Sequence, residues 1–302
     1  MAVKLVYSER YARADVGDHP WPIHKYRDVH RQALLAGIVS EKDILLVDQA
    51  SGQDLELAHD PDYVRRFVMG DLSEEEMALA ELPYSAELAL FFMASAEGTI
   101  QACRHALERG SVYHIGGGFH HAFADHGSGF CMLNDIAVGI RKMQDEKRIQ
   151  KALVVDLDVH QGDGTARIFQ KDDSVFTFSM HQENNFPFPK QKSDLDIGLE
   201  DGTSDAEYLP ILRKALPKLI LSHKPDLIVY VAGADPYRDD RLGGLDISME
   251  GLAERDRIVY EESAKHKVPI ATTLAGGYAR NPKETSEIHF NTLKASLQLA
   301  AV

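Results

Sequence analysis

Seven short, β-rich apolar runs alternate along this chain with amphipathic or capped stretches, and that alternation limits the fold more than any other feature. The runs predict strands over Lys4–Tyr7, Ile44–Val47, Val112–Ile115, Ala152–Leu157, Val175–Ser179, Asp226–Val231 and Pro269–Leu274. Between them, helices are predicted over Ser85–Glu108, Asn134–Asp145, Gly164–Phe169, Ser204–Ser222, Ser248–His266 and Lys283–Leu299. Parallel strands need crossovers, and amphipathic helices supply them while covering both faces of the sheet. No repeat, low-complexity tract or linker breaks the series, so a single α/β domain over 1–302 is expected.

In open parallel sheets, ligands sit beyond the carboxyl ends of the strands. Four predicted strands end in polar blocks containing glycine: Gly116-Gly117-Gly118-Phe119-His120-His121, Asp158-Val159-His160-Gln161-Gly162-Asp163, Ala232-Gly233-Ala234-Asp235 and Ala275-Gly276-Gly277-Tyr278. Asp156, Asp158 and His160 are two residues apart, so a continuing strand would point all three to one face. A carboxylate and an imidazole from that segment, with Asp235 from another strand end, suit a catalytic metal with one position open to water. On spacing alone, Zn²⁺, Mn²⁺ and Fe²⁺ are all compatible. The adjacent imidazoles of His120 and His121 can move protons near neutral pH, and Asp156 and Asp163 can each accept a ring N–H from one of them. Tyr278 can offer a phenol to a developing oxyanion.

Other chemistries fail on spacing. No Lys-Ser/Thr follows Gly116–Gly118, which excludes a P-loop, and Gly127-Ser128-Gly129 does not fit a nucleophile elbow. Thirty-three Lys and Arg against 47 Asp and Glu leave a net charge of −14, unlike a surface built to neutralise phosphates. Two cysteines, Cys103 and Cys131, make no disulfide framework, and no apolar run approaches the ~20 residues of a membrane span. A signal peptide is not expected at the N-terminus, and a reducing cytoplasm is the expected compartment. Trp21, in His19-Pro20-Trp21-Pro22, is expected in a packed loop.

Taken together, the stretches GGGFHHAFADHGSGFCMLNDIA (116–137), VVDLDVHQGDGT (154–165), VAGADPYRDDRLGGLDIS (231–248) and LAGGYAR (274–280) resemble the zinc-dependent histone deacetylase family, in the family's order. The HQGDG form and FPKQKSDLDIGLEDGTSDAEYL (188–209) look most like the class IV branch and its bacterial relatives. The resemblance implies the arginase-deacetylase fold and a Zn²⁺ held by Asp158, His160 and Asp235. It makes His121 the general base and then acid, with His120 as an electrostatic partner, Asp156 supporting His120 and Asp163 supporting His121. Tyr278 would polarise the acyl carbonyl. A structural K⁺ is implied at Asp156, Asp158, His160, Ser179 and Met180. Phe130, with Gly129 before it, matches one wall of the acyl-lysine tunnel, and the facing wall falls within Phe186–Phe188. Binuclear ureohydrolases of the same fold need an Asp where Gly162 stands, so one catalytic metal is implied.

The activity implied is hydrolytic removal of an acyl group, acetyl or longer, from an N-acylated primary amine, most simply an N6-acyl-lysine of a protein, with no direct nucleic-acid partner. An acetylpolyamine is the alternative substrate. Leu242 stands where polyamine-selective relatives carry a glutamate, which leans toward acyl-lysine. A non-catalytic acyl-lysine-binding protein is a further alternative, which would predict a broken ligand set.

Overall fold

The computed structural model describes residues 4–299; the rest of the expected domain, 1–3 and 300–302, lies outside the described residues. Within these residues eight strands form one sheet: β1 (Leu5–Tyr7), β2 (Ile44–Leu46), β3 (Ser111–His114), β4 (Ala152–Asp156), β5 (Val175–Gln182), β6 (Leu195–Leu199), β7 (Leu227–Val231) and β8 (Ile270–Thr273). The order is β2-β1-β3-β8-β7-β4-β5-β6, and every neighbouring pair is parallel. β4 and β7 are buried along their whole length, which is why they read as unbroken apolar runs rather than as alternating ones. One strand, β6, was not among the predicted seven.

Alternate residues of the central strands feed two apolar layers. Val154, Val229 and Ala271 join one with Leu5, Phe91, Ile100 and Ile136; Leu153, Val155, Ile228 and Tyr230 join the other with Leu212, Leu216 and Val259. Among the described residues, ten α-helices surround the sheet: α1 (Lys25–Leu35), α2 (Gly52–Leu55), α3 (Pro61–Met69), α4 (Glu74–Ala80), α5 (Ala86–Arg109), α6 (Asp135–Asp145), α7 (Asp163–Phe169), α8 (Asp205–His223), α9 (Met249–His266) and α10 (Pro282–Leu299). Their starts follow side-chain chemistry. Ser85 caps α5 by accepting from Leu88 N, and Ser248 caps α9 by accepting from Gly251 N. Trp21 packs against Phe91 and Phe119 and donates Nε1–H to the Tyr26 hydroxyl at 3.2 Å. Among the described residues no helix is long and apolar enough to cross a membrane.

The four polar strand ends belong to β3, β8, β7 and β4, which are adjacent in the middle of the sheet. Side chains far apart in sequence therefore meet over one short arc. A buried polar chain fixes the first of these ends. His114 bonds the Tyr11 hydroxyl at 2.7 Å through Nε2 and the Thr99 hydroxyl at 3.0 Å through Nδ1. Thr99 donates to Asp135 Oδ2, and Asp135 accepts the N–H groups of Gly118 (3.0 Å) and Phe119 (2.8 Å). Asn134, the cap of α6, adds an Nδ2 bond to Ala122 O at 3.0 Å. The two histidines thus follow a loop whose backbone polar groups are satisfied from below.

Candidate metal centre and acyl tunnel

Asp158, His160 and Asp235 come together as the sequence predicts. One oxygen or nitrogen from each lies within 4.8 Å of the others, and all three side chains are buried. β4 stops at Asp156, however, so continuing strand geometry is not what aligns 156, 158 and 160. Past Asp156 the chain turns, and its own carboxylates hold the turn: Asp156 Oδ1 accepts Asp158 N at 3.2 Å and Asp158 Oδ1 accepts His160 N at 3.0 Å. Asp156 then faces His120 instead of the three-residue cluster, with Nδ1–H donating to Oδ2 at 2.7 Å.

The donor set suits a divalent cation. Asp158 Oδ2 accepts Gly276 N at 2.8 Å and Asp235 Oδ1 accepts Val159 N at 2.9 Å, while Asp235 Oδ2 is buried with no hydrogen-bond partner. His160 Nδ1 faces both carboxylates, at 3.1 Å from Asp158 and 3.4 Å from Asp235. Burial and the neighbouring Asp158 carboxylate push the Asp235 carboxyl up to about 7. On His160, burial opposes charge but is outweighed by both aspartates, which raise it to about 10. Two buried carboxylates and an imidazole therefore compete for a proton at the point where a metal ion would remove the conflict.

Beside this cluster the paired imidazoles differ. Burial disfavours charge on both. On His120 the Asp156 and Asp158 carboxylates prevail and raise its pKa to about 9; on His121, burial and the charge on His120 lower it to about 4. His121 Nδ1–H donates to Asp163 Oδ1 at 2.6 Å, which leaves Nε2 as the lone-pair nitrogen. Their ring centroids are 4.1 Å apart.

A cleft of about 190 Å³ leads to these groups, lined by Phe130, Phe186, Leu242, Tyr278 and Glu81 among others. Phe130 stands at the tip of a tight turn closed by reciprocal Ser128–Cys131 backbone bonds. Gly129 (φ 46°) and Phe130 (φ 66°) are its central residues, both at the positive φ that a type I′ turn requires. Leu79 and Ala80, at the end of α4, accept the N–H groups of Gly129 and Phe130. Phe186 supplies the facing ring, 4.9 Å from the His121 ring, whereas Phe188 is 74% exposed. A smaller chamber of about 20 Å³ adjoins it at the cluster itself, bounded by His120, His121, Asp158, His160, Trp21 and Tyr278. Ser179 lies opposite Asp156 in the β4–β5 register, with Met180 next to it.

Three contributors were not anticipated. Lys25 is fully buried and donates Nζ–H to Ala275 O at 2.5 Å, Glu81 lines the tunnel mouth, and Asp240 accepts the backbone N–H of Tyr278. The only local signal for the last was the acidic run Asp239-Asp240 a few residues after Asp235.

Comparisons of sequence and of fold with known proteins converge on one family. A family model described as a histone deacetylase domain matches residues 19–293. An uncharacterized protein of Picosynechococcus sp. is 42% identical over 281 residues, covering 93% of this chain and 94% of that protein. Histone deacetylase 2 of Arabidopsis thaliana is 30% identical over 297 residues, covering 92% of this chain and 75% of that protein. The crystal structure of an HDAC homologue from Aquifex aeolicus superposes with a TM-score of 0.85 at 25% identity, covering all of this chain and 84% of that one.

Proposed function

The chain belongs to the histone deacetylase family and is a deacetylase-type hydrolase, and from that premise we propose that it removes a short acyl group, acetyl above all, from N6-acyl-lysine with one Zn²⁺ held by Asp158, His160 and Asp235. The observation that carries this reading is the convergence of those three buried donors at the end of a tunnel that also presents His121 and Tyr278. Zinc held there would supply Lewis-acid polarisation of the acyl carbonyl and a lowered pKa for the attacking water.

The protein's own groups do the rest. His121 Nε2 takes the water proton, because burial and the positive His120 keep it neutral and ready to accept. Asp163 holds the ring in that tautomer through Nδ1. His120, its ring held against the Asp156 carboxylate, favours negative charge developing beside it. The Tyr278 hydroxyl donates to the carbonyl oxygen as it becomes an oxyanion; burial keeps that phenol protonated. His121 then returns its proton to the leaving amine. Phe130 and Phe186 flank the aliphatic stem of the lysine, with Gly129 allowing the rings to close and Leu242 completing the wall. A structural K⁺ is proposed where Asp156, Asp158, His160, Ser179 and Met180 adjoin. The presence of every one of these groups argues against a non-catalytic binding protein.

Two observations refine the substrate. The chamber where Asp158, His160, His121 and Tyr278 meet is small, about 20 Å³, which favours acetyl over long acyl chains. Glu81 at the mouth favours a second reading, an acetylpolyamine, since its carboxylate can meet the distant ammonium that Leu242 cannot. Rates for zinc-loaded protein on acetyl-, butyryl- and octanoyl-lysine peptides and on acetylspermidine separate these readings. Acetyl-lysine peptide is expected to be fastest. Tyr278→Phe should lower turnover by about 10²–10³-fold, the loss typical of one oxyanion donor. Turnover close to wild type in a folded Tyr278→Phe variant would remove the hydroxyl from the mechanism.

A further inference from the structure

Leu242 and Tyr278 reach the tunnel from different crossovers, the first from the connection between β7 and α9, the second from the turn after β8. One buried side chain ties them together. Asp240 Oδ1 accepts Leu242 N at 2.8 Å and Gly243 N at 3.1 Å, while Oδ2 accepts Tyr278 N at 2.6 Å. The side chain is 4% exposed. Around it the two segments lie antiparallel: Asp240 bridges to Ala279, Arg241 N donates to Tyr278 O at 3.2 Å, and Arg280 N donates to Asp239 O at 2.9 Å. Among the described residues, the carboxylate is the only side chain that bonds the backbone of both Leu242 and Tyr278.

Its chemistry suits that task. An ionised carboxylate accepts at both oxygens, and bonds from backbone N–H to a charged acceptor are shorter and stronger than neutral ones. An asparagine of the same shape keeps one acceptor oxygen but turns an NH₂ toward an N–H, donor against donor. It can hold the Leu242 segment or the Tyr278 segment, not both.

We propose that Asp240 is a positioning residue that sets the Tyr278 hydroxyl against the tunnel wall at Leu242, so that one carboxylate aligns the oxyanion donor with the bound acyl-lysine. The inference rests on the reading of Tyr278 as that donor.

A double-mutant cycle on zinc-loaded protein tests it, with kcat and KM for an acetyl-lysine peptide measured for wild type, Asp240→Asn, Tyr278→Phe and the pair. Asp240→Asn should lower kcat about 10- to 100-fold with a smaller change in KM, since a displacement of about 1 Å can cost about 10²-fold. In the Tyr278→Phe background the same change should cost less than about 3-fold, because no hydroxyl remains to be positioned. Equal losses in both backgrounds, an unchanged kcat in Asp240→Asn, or a fall in bound zinc that accounts for the loss would each overturn the proposal. Full turnover in Tyr278→Phe alone would instead refute the role given to Tyr278. Should Asp240→Asn lose its cooperative thermal transition, Asp240→Glu, which keeps the charge one methylene further out, enters the same cycle with the same expectations.

Discussion

Gly129 shows how tightly single residues are specified around the tunnel. A Cβ on it would meet Phe186 Cε1 at 2.7 Å and His121 Cδ2 at 3.0 Å, and its φ of 46° already disfavours any side chain. Gly129→Ala must therefore displace the tunnel ring or the imidazole proposed as base. It is expected to lower kcat/KM by roughly 10²-fold, as for other displacements near 1 Å, while the bound zinc stays at one per chain; steady-state kinetics with metal analysis checks both. At this scale the sequence exposes the chemistry better than its support. Asp158, His160, Asp235, the histidine pair and Tyr278 are legible because each follows an apolar run in a glycine-rich block. Lys25 and Arg255 are not, because charged residues within Lys-Tyr-Arg-Asp or Glu-Arg-Asp-Arg read as solvated helix faces. Only the tertiary fold reveals that Arg255 is fully buried, donating to Gly233 O at 2.6 Å and paired with Asp256, which in turn accepts from Tyr230 and Thr292.

Most strands that were legible are the buried ones, with β2 at the sheet edge an exception. β4 and β7 announce themselves as continuous apolar runs, and the long helices by their caps. β6 was missed because Leu-Asp-Ile-Gly-Leu alternates, carries a glycine and lies at the sheet edge, where one side stays exposed. The helices before Ser85 were missed as well. They are four to eleven residues long, but length alone does not explain the miss, since α6 with eleven residues and α7 with seven were read. Within α5, Gly98 runs against propensity, since glycine in a helix interior is about 1 kcal/mol worse than alanine. Its neighbour explains it: a Cβ there would collide with the His114 imidazole, which links the Tyr11 and Thr99 hydroxyls. Gly98→Ala should thus destabilise by about 1–3 kcal/mol, the usual result of overpacking, despite its better propensity. Urea unfolding measures this, and a higher midpoint in the variant would show that the ring moves freely.

Across the whole molecule, the same buried imidazoles make stability depend on pH. His59 and His114 are both held neutral: burial lowers His59 to about 4, against weaker help from the Ala124 carbonyl, and lowers His114 to about 3. In the unfolded chain both return to about 6.5, so between about pH 6.5 and pH 4 the unfolded state binds the extra protons. Their contribution is therefore complete above about pH 6.5 and lost as the pH falls toward the folded values. Together the pair should remove about 2.7 kcal/mol per pH unit near pH 5, at about 1.36 kcal/mol per proton. Buried carboxylates raised by desolvation, such as Asp135 and Asp156, titrate in the opposite sense, so the slope of the wild type alone is ambiguous. The difference between wild type and His59→Gln isolates one imidazole. Glutamine can still offer a carbonyl to Asn134 N, which His59 Nε2 now accepts at 2.9 Å, but it carries no titrating group. The stability gap between the two proteins should accordingly narrow by about 2 kcal/mol from pH 7 to pH 5, read from urea unfolding at each pH. A gap that stays constant over that range would mean that His59 is already protonated in the folded protein or reached by water, and that the buried polar network beneath the His120–His121 loop is looser than its hydrogen bonds indicate.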